Sequence, residues 1–221
     1  GPRRPRASLA EMNAAQAPEY GAVVIVGAGQ AGAEVATELR ACGYTGTLTL
    51  VHEEKGVPYA RPPLSKAYLL GAATEADLAI RPASVYVEQR IEILSGTVDS
   101  IDRDNRRVRL HDGRELPYDA VILATGGQPR RLAGCDIERA SNVHYLKTLA
   151  DATALKKSLR TSSKLVIVGG GYIGLEAAAA ARQLGLQVTV LEAQPRLLAR
   201  VTSEPVSDFY RRLHQAPGVG N

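Results

Sequence analysis

Two stretches of the chain repeat one pattern of hydrophobic and polar positions. Residues 22–27, AVVIVG, form a short β-branched run closing on glycine, the mark of a strand buried on both faces. Ala31–Ala41 then places Ala31, Val35, Ala36 and Leu39 at helical spacing. Gly43 and Gly46 flank the stop, and Thr47–Val51 (TLTLV) is the next strand. Further on, Leu165–Val168, Tyr172–Leu184 and Val188–Leu191 predict strand, alanine-rich helix and strand again. Each cycle ends on an acid, Glu53 or Glu192, so the chain carries an internal duplication at the level of the motif.

Between the cycles the pattern changes. Pro58–Lys66 (PYARPPLSK) reads as an irregular, proline-stiffened loop, and residues 84–89 as a short helix. Thr97–Ile101, Arg107–Leu110 and Glu115–Tyr118 alternate around the turn signals Asp104-Asn105 and Asp112-Gly113, which predicts an antiparallel meander. Ala120–Ala124 (AVILA) predicts a fully buried strand ended by Thr125-Gly126-Gly127, and residues 148–160 a helix. A last helix starts near Ser203 and runs through Leu213, and the PGVGN that follows is expected to add no strand.

The candidate chemistry lies where each strand meets its helix. IVGAGQAG (25–32) and IVGGGYIG (167–174) both fit the GxGxxG fingerprint. Gly27 and Gly169 allow the tight turn after the strand. Gly29 and Gly171 leave no side chain in the way of a pyrophosphate, and Gly32 and Gly174 let helix and strand pack closely. The helix N-terminus offers free N–H groups and a partial positive charge to phosphates. Glu53 and Glu192 follow at the spacing of about 20 residues at which an acid takes ribose hydroxyls.

One such loop specifies little. Two, each set between strand and helix and each followed by an acid, predict two dinucleotides and hydride traffic between them. The fold class is therefore α/β, with two Rossmann-like dinucleotide-binding domains and an antiparallel β-meander insertion. Glu192 would repel a 2′-phosphate and so favours NAD over NADP. Arg196 close by reads as a solvated charge.

Composition narrows the classes. Hydrophobic content of 45% and 23% charged residues suit a globular chain. Of the net charge of +4, Arg3, Arg4 and Arg6 less Glu11 supply half, so no nucleic-acid face is expected. No apolar run approaches the roughly 20 residues of a membrane span. The basic leader lacks the apolar core of a secretory signal and reads as a disordered tail, with Met12 the natural start; a basic docking face for an acidic protein partner is the alternative. Cys42 and Cys135 show neither metal spacing nor CxxC, and the four histidines lie in unrelated segments. A reduced, cytoplasmic protein with no metal is the expectation.

The quoted loops, PYARPPLSKAYL, LPYDAVILATGGQPR, YLKTLADA and VIVGGGYIGLEAAAAARQLGLQVTVLEAQPRLLARV together resemble the FAD-dependent ferredoxin reductases of the putidaredoxin reductase type. These serve bacterial cytochrome monooxygenases and ring-hydroxylating dioxygenases, within the pyridine nucleotide-disulfide oxidoreductase superfamily. The likeness runs from about Ala22 to Ala216; PPLSK is its specific element, whereas the glycine loops and ATGG belong to the wider superfamily. It implies domains of the glutathione-reductase type: a leader over 1–20, a first FAD-binding segment over 21–128, a connection and helix over 129–160, and an incomplete NAD-binding domain over 161–221. It also implies that the chain is the family's first half, C-terminally truncated.

The resemblance assigns roles as well. FAD would be held by Gly27, Gly29, Ala31, Gly32, Glu53 on the adenosine ribose, Arg61, the Val98 backbone on the adenine side, Ala124, Thr125, Gly126 and Lys147. NADH would be held by Gly169, Gly171, Tyr172, Ile173, Gly174 and Glu192. Lys66 would stand near flavin N5, where its charge stabilises the electron-rich reduced ring, and Glu176 near the nicotinamide. Relatives read YLRT where this chain reads YLKT, so Lys147 keeps the charge and loses the bidentate fork. No cysteine pair follows the first βαβ unit, which removes a thiol relay and leaves hydride transfer to flavin, with a [2Fe–2S] ferredoxin as acceptor.

Plainer readings stand beside these. Lys66 reads also as a solvated loop lysine, and Glu176 as a first-turn acid that complements the helix dipole. Arg130 and Arg131 read as exposed loop charges. For the whole chain, the alternatives are an inactive dinucleotide-binding module and an apoptosis-inducing-factor-like NADH oxidoreductase or binding protein. No oligomeric state is read from the sequence.

Overall fold

β1 (Ala22–Val26) owes its unbroken run of apolar residues to a position between two packed layers. In the computed structural model, which describes residues 20–132, 140–215 and 219–220, it is one of the two inner strands of a four-stranded parallel sheet, order β3-β2-β1-β7. β2 is Thr47–His52, β3 Ile91–Ser95 and β7 Ala120–Leu123. Val23 and Ile25 face helices α1 (Gln30–Ala41) and α3 (Ala83–Glu88), packing with Ala36 and the fully buried Tyr86. Val24 and Val26, with Val51, face the opposite way onto Val108 and Leu110 of a three-stranded antiparallel sheet. That sheet is the expected meander: β4 (Val98–Asp102), β5 (Arg107–Leu110) and β6 (Glu115–Pro117). Burying each such side chain stabilises the unit by about 1.5–3 kcal/mol.

One expectation fails in this first unit, whose described residues are 20–60 and 79–126, and one strand is unexpected. Ala120–Leu123 is not fully buried: it is the edge strand of the sheet, and Leu123 is 65% exposed. Ile91–Ser95 is a strand that the pattern does not announce. It pairs in parallel with β2, and its second residue, Glu92, accepts the Thr49 hydroxyl at 2.9 Å. The Arg40 guanidinium ties α1 to this region through the carbonyls of Gln89, Arg90, Tyr44 and Gly46 at 2.7–2.9 Å.

The described residues of the second unit are 61–78, 127–132, 140–215 and 219–220. β8 (Lys164–Val168), β9 (Gln187–Leu191) and β10 (Val219–Gly220) form a parallel sheet of order β10-β9-β8. The tail expected to add no strand thus pairs Val219 with Val188 and Gly220 with Thr189. Helices α4 (Leu149–Leu159) and α5 (Tyr172–Gln183) bury Leu155, Leu159, Leu175 and Ala178 with Leu69 of the short helix α2 (Ala67–Leu70) and with β9. Helix α6 (Glu204–Gln215) adds Tyr210 to that core.

β8 repeats the sequence of β1 but not its burial. Leu165 and Ile167 join the core, while Val166 and Val168 are each 59% exposed. The registers Val24↔Thr49 and Val26↔Val51 of the first sheet recur as Val166↔Thr189 and Val168↔Leu191. Among the described residues, no helix is long and apolar enough to cross a membrane. The leader expected over 1–20, apart from Tyr20, and Cys135 lie outside the described residues; Cys42 is free and exposed.

Candidate functional site

In the first glycine loop, Gly27 has φ +107°, and its N–H donates to Val51 O at 2.8 Å. A Cβ on Gly27 would lie 2.2 Å from the Ala124 carbonyl, and one on Gly32 only 1.9 Å from the Gly27 carbonyl. Those two glycines are needed for close backbone approach. Gly29 differs: a Cβ there would meet nothing within 4 Å. It is the N-cap of α1, with no side-chain cap and no acid in the first turn. The leading amides of α1 therefore have no side-chain acceptor at the cap, and an open space lies over the loop. A pyrophosphate suits both features.

Around this loop, Ala31 is exposed in the first turn of α1, and Glu53 is exposed one residue past β2. Ala124, Thr125 and Gly126 follow β7, with Thr125 and Gly126 exposed and Gly126 at φ +66°. Val98 opens β4 and is half-buried.

The second loop repeats the turn and the helix packing of the first, but not the close approach at its first glycine: a Cβ on Gly169 would meet nothing within 4 Å, where one on Gly27 meets Ala124. Gly169 has φ +111° and donates to Leu191 O at 2.8 Å, and a Cβ on Gly174 would lie 2.1 Å from the Gly169 carbonyl. Gly171 is the uncapped N-cap of α5, again with nothing within 4 Å of its Cβ position. By contrast α4, away from any glycine loop, has a full capping box between Thr148 and Asp151. Tyr172 and Ile173, in the first turn of α5, are exposed.

Glu192 follows β9 as Glu53 follows β2. Its Oε2 accepts the Gly170 amide at 2.7 Å and its Oε1 the Gln194 amide at 2.8 Å. The Gln194 amide, with that of Gly170 and the Arg200 charge, holds the carboxyl below its ordinary value despite burial. It lies in a cleft of about 490 Å³ that Val168, Leu191, Gln194, Arg196 and Arg211 help to line. Arg196 is not the solvated charge expected from sequence. Its guanidinium donates to Thr202 O at 2.9 Å and Ala199 O at 3.1 Å, which folds the following loop. Arg211, on α6, was not singled out from the sequence; its partner is Asp208 at 3.0 Å, an i,i+3 pair on the helix surface.

PPLSK folds tightly instead of running irregularly. Pro62–Ser65 is a 3₁₀ turn leading directly into α2, with Lys66 between them. Lys66 Nζ meets Glu176 Oε1 at 2.7 Å, and Ser65 Oγ donates to Glu176 Oε2 at 2.5 Å. Glu176 lies beyond the first turn of α5, which contains no acid, so it is not a cap for the dipole. Burial pushes its carboxyl up, but hydrogen bonds from Lys66 and Ser65, with the Lys66 charge, bring it below its ordinary value. Lys66 is likewise no lone solvated lysine.

Arg61 donates to the Lys147 carbonyl at 2.8 Å, and Lys147 Nζ donates to Gln128 Oε1 at 3.0 Å. Arg131 stands over the Tyr145 ring at 5.0 Å, and Arg130 is exposed. Sequence reasoning missed Ser65, whose only signal was its place before Lys66 in PPLSK. Among the described residues, no group of three or more His, Cys, Asp and Glu could hold a metal.

Residues 21–220 match the sequence family described as pyridine nucleotide-disulphide oxidoreductase. The chain belongs to that family. Among its oxidoreductase relatives, putidaredoxin reductase CamA of Pseudomonas putida is 49% identical over 200 residues, covering 89% of this chain and 47% of the relative. The ferredoxin–NAD(+) reductase component of the p-cumate 2,3-dioxygenase system of Pseudomonas putida is 47% identical over 198 residues, covering 89% and 49%. The fold is also that of the covalent putidaredoxin reductase–putidaredoxin complex: TM-score 0.86, 47% identity, 90% of this chain and 49% of that one. The chain spans about half the length of the curated relatives it matches.

Proposed function

We propose that the chain carries the dinucleotide-binding machinery of an NADH-dependent FAD flavoprotein that passes electrons to a [2Fe–2S] ferredoxin serving a bacterial monooxygenase or dioxygenase. The observation that carries the reading is the matched pair of uncapped glycine-loop helices, α1 and α5, each followed by an acid at the end of the next strand. Relatives whose names place them in ferredoxin and dioxygenase systems support the same reading. A bound flavin supplies the redox chemistry: it accepts a hydride and gives up electrons singly.

The chain's own residues bind and orient. In this reading the open backbone at Gly29 and the α1 amides take the FAD pyrophosphate, Glu53 the adenosine ribose, and the Val98 backbone the adenine side. Ala31, Arg61, Lys147 and the Ala124–Gly126 turn complete the FAD contacts, with Gly27 and Gly32 setting the loop. Gly169, Gly171, Tyr172, Ile173 and Gly174 take the NADH pyrophosphate, and Glu192 its ribose hydroxyls. Lys66 brings positive charge to the flavin N5 edge. Glu176, paired with Lys66, holds that ammonium and would lie near the nicotinamide of a bound NADH. Electrons leave to the ferredoxin with no thiol relay. The setting that goes with this reading is the cytoplasm, where a thiol such as Cys42 stays reduced.

The test is spectroscopic. The purified chain, supplied with FAD, is expected to turn yellow, to bleach with NADH, and to reduce an added [2Fe–2S] ferredoxin. A chain that takes up no flavin, or whose flavin NADH leaves oxidised, would contradict the reading.

A further inference from the structure

Glu176 has two partners of unequal character. Lys66, on its Oε1 side, has a long stem and a side chain 48% exposed, and an ion pair of this kind contributes at most about 1 kcal/mol. Ser65, on its Oε2 side, is 4% exposed and sits in a 3₁₀ turn begun by Pro62 and Pro63. Its hydroxyl has a single proton. The Pro62 carbonyl is 3.4 Å away, so that proton goes to the carboxylate oxygen at 2.5 Å, as a charge-assisted hydrogen bond. The next residue in the chain, Lys66, thus offers a half-exposed cation beside a buried donor.

We propose that Ser65 is a positioning residue: it anchors the Glu176 carboxylate, so that the Lys66 ammonium can leave and return without Glu176 losing its orientation. This rests on the reading of Lys66 and Glu176 as the residues nearest the reacting ends of the two dinucleotides. If Lys66 turned to a reduced, electron-rich ring, a carboxylate held only by that lysine would be drawn after it or swing into water. The Ser65 hydroxyl gives it a second hold. The residue also extends the role of PPLSK, whose two prolines begin the turn that holds the serine, while the lysine side chain stays half-exposed.

The test reads the Glu176 carboxyl itself and needs no cofactor. Side-chain carboxyl ¹³C shifts of the 221-residue chain are followed against pH, with Glu176 assigned by its loss in Glu176→Gln. Five proteins are compared: the unmodified chain, Ser65→Ala, Ser65→Cys, Lys66→Met and the Ser65→Ala/Lys66→Met double variant. Ser65→Ala is expected to raise the Glu176 midpoint by on the order of half a pH unit in both lysine backgrounds, with amide spectra otherwise unchanged. Ser65→Cys, similar in size but a weak donor, is expected to fall between. A midpoint that Ser65→Ala leaves in place, with or without Lys66, overturns the proposal. Failure of the functional reading would show separately, as absence of flavin uptake or of bleaching by NADH.

Discussion

Glu192 holds the crest of its own glycine loop: Oε2 accepts the Gly170 amide at 2.7 Å. A Cβ on Gly170 would lie 3.2 Å from that oxygen and 2.5 Å from Leu197 Cδ2. The acid at the end of β9 therefore shapes the loop before any ligand arrives. A carboxylate has about four acceptor sites, so the two amides leave it room for ribose hydroxyls.

Removing that charge has a predictable effect on nucleotide choice. Glu192→Gln is expected to weaken NADH binding about tenfold, the scale of one charged hydrogen bond, and to improve NADPH by lifting the repulsion of its 2′-phosphate. Arg211 lines the same cleft, whereas Arg196 is occupied by backbone carbonyls. Arg211→Gln in the Glu192→Gln background is therefore expected to cancel the NADPH gain. Fluorescence titration with both nucleotides checks this; an unchanged NADPH affinity in the double variant relative to Glu192→Gln counts against a role for Arg211.

The same carboxyl links stability to pH. Its value is lowered in the folded chain by the Gln194 and Gly170 amides, so its contribution is present above the ordinary value of 4.5 and is lost as pH falls through the lowered one. Urea unfolding at about pH 6 and about pH 3.5 should show a larger loss for the unmodified chain than for Glu192→Gln. Equal losses would mean that the amide contacts do not persist in solution.

The close-approach glycines should fail by destabilisation. Gly32→Ala and Gly174→Ala place a methyl about 2 Å from a backbone carbonyl, and each is expected to cost at least ~1–3 kcal/mol, read as a fall in Tm. Only strand and helix moving apart could relieve the contact.

Much of this was legible in the sequence, and the omissions have physical causes. The glycine spacing located both loops because Gly27 and Gly169 take the positive φ of the turn and Gly32 and Gly174 the close approach of helix to strand, and the alternating 97–118 segments located the meander. Ile91–Ser95 escaped because Glu92 interrupts its apolar run and finds its partner, Thr49, on a strand far away in sequence. β10 escaped because two residues, Val219 and Gly220, have no periodicity of their own. AVILA suggested burial, but the sheet's order places β7 at its edge. Composition can mark PPLSK as stiff, yet it cannot show that Ser65 and Lys66 both reach Glu176, on a helix over a hundred residues later.

Lys147 offers a gain-of-function check. It contacts Gln128 Oε1 with one of its donors, where an arginine would bring a planar fork. Lys147→Arg is expected to tighten FAD about fivefold, equivalent to ~1 kcal/mol. Equilibrium dialysis measures it, and no gain would count against a contact weakened by the lysine.

The central claim is a division of labour between the two loops, and a pair of substitutions tests it most directly. Gly29 and Gly171 have extended, negative-φ backbones and open space at the Cβ position, so valine at either should leave the fold intact and obstruct only a phosphate. Calorimetric titration of Gly29→Val and Gly171→Val with FAD and with NADH is the measurement. The account predicts that Gly29→Val loses FAD and keeps NADH, while Gly171→Val loses NADH and keeps FAD. If both substitutions impair the same ligand, or neither impairs any, the assignment of flavin to the first loop and NADH to the second is wrong.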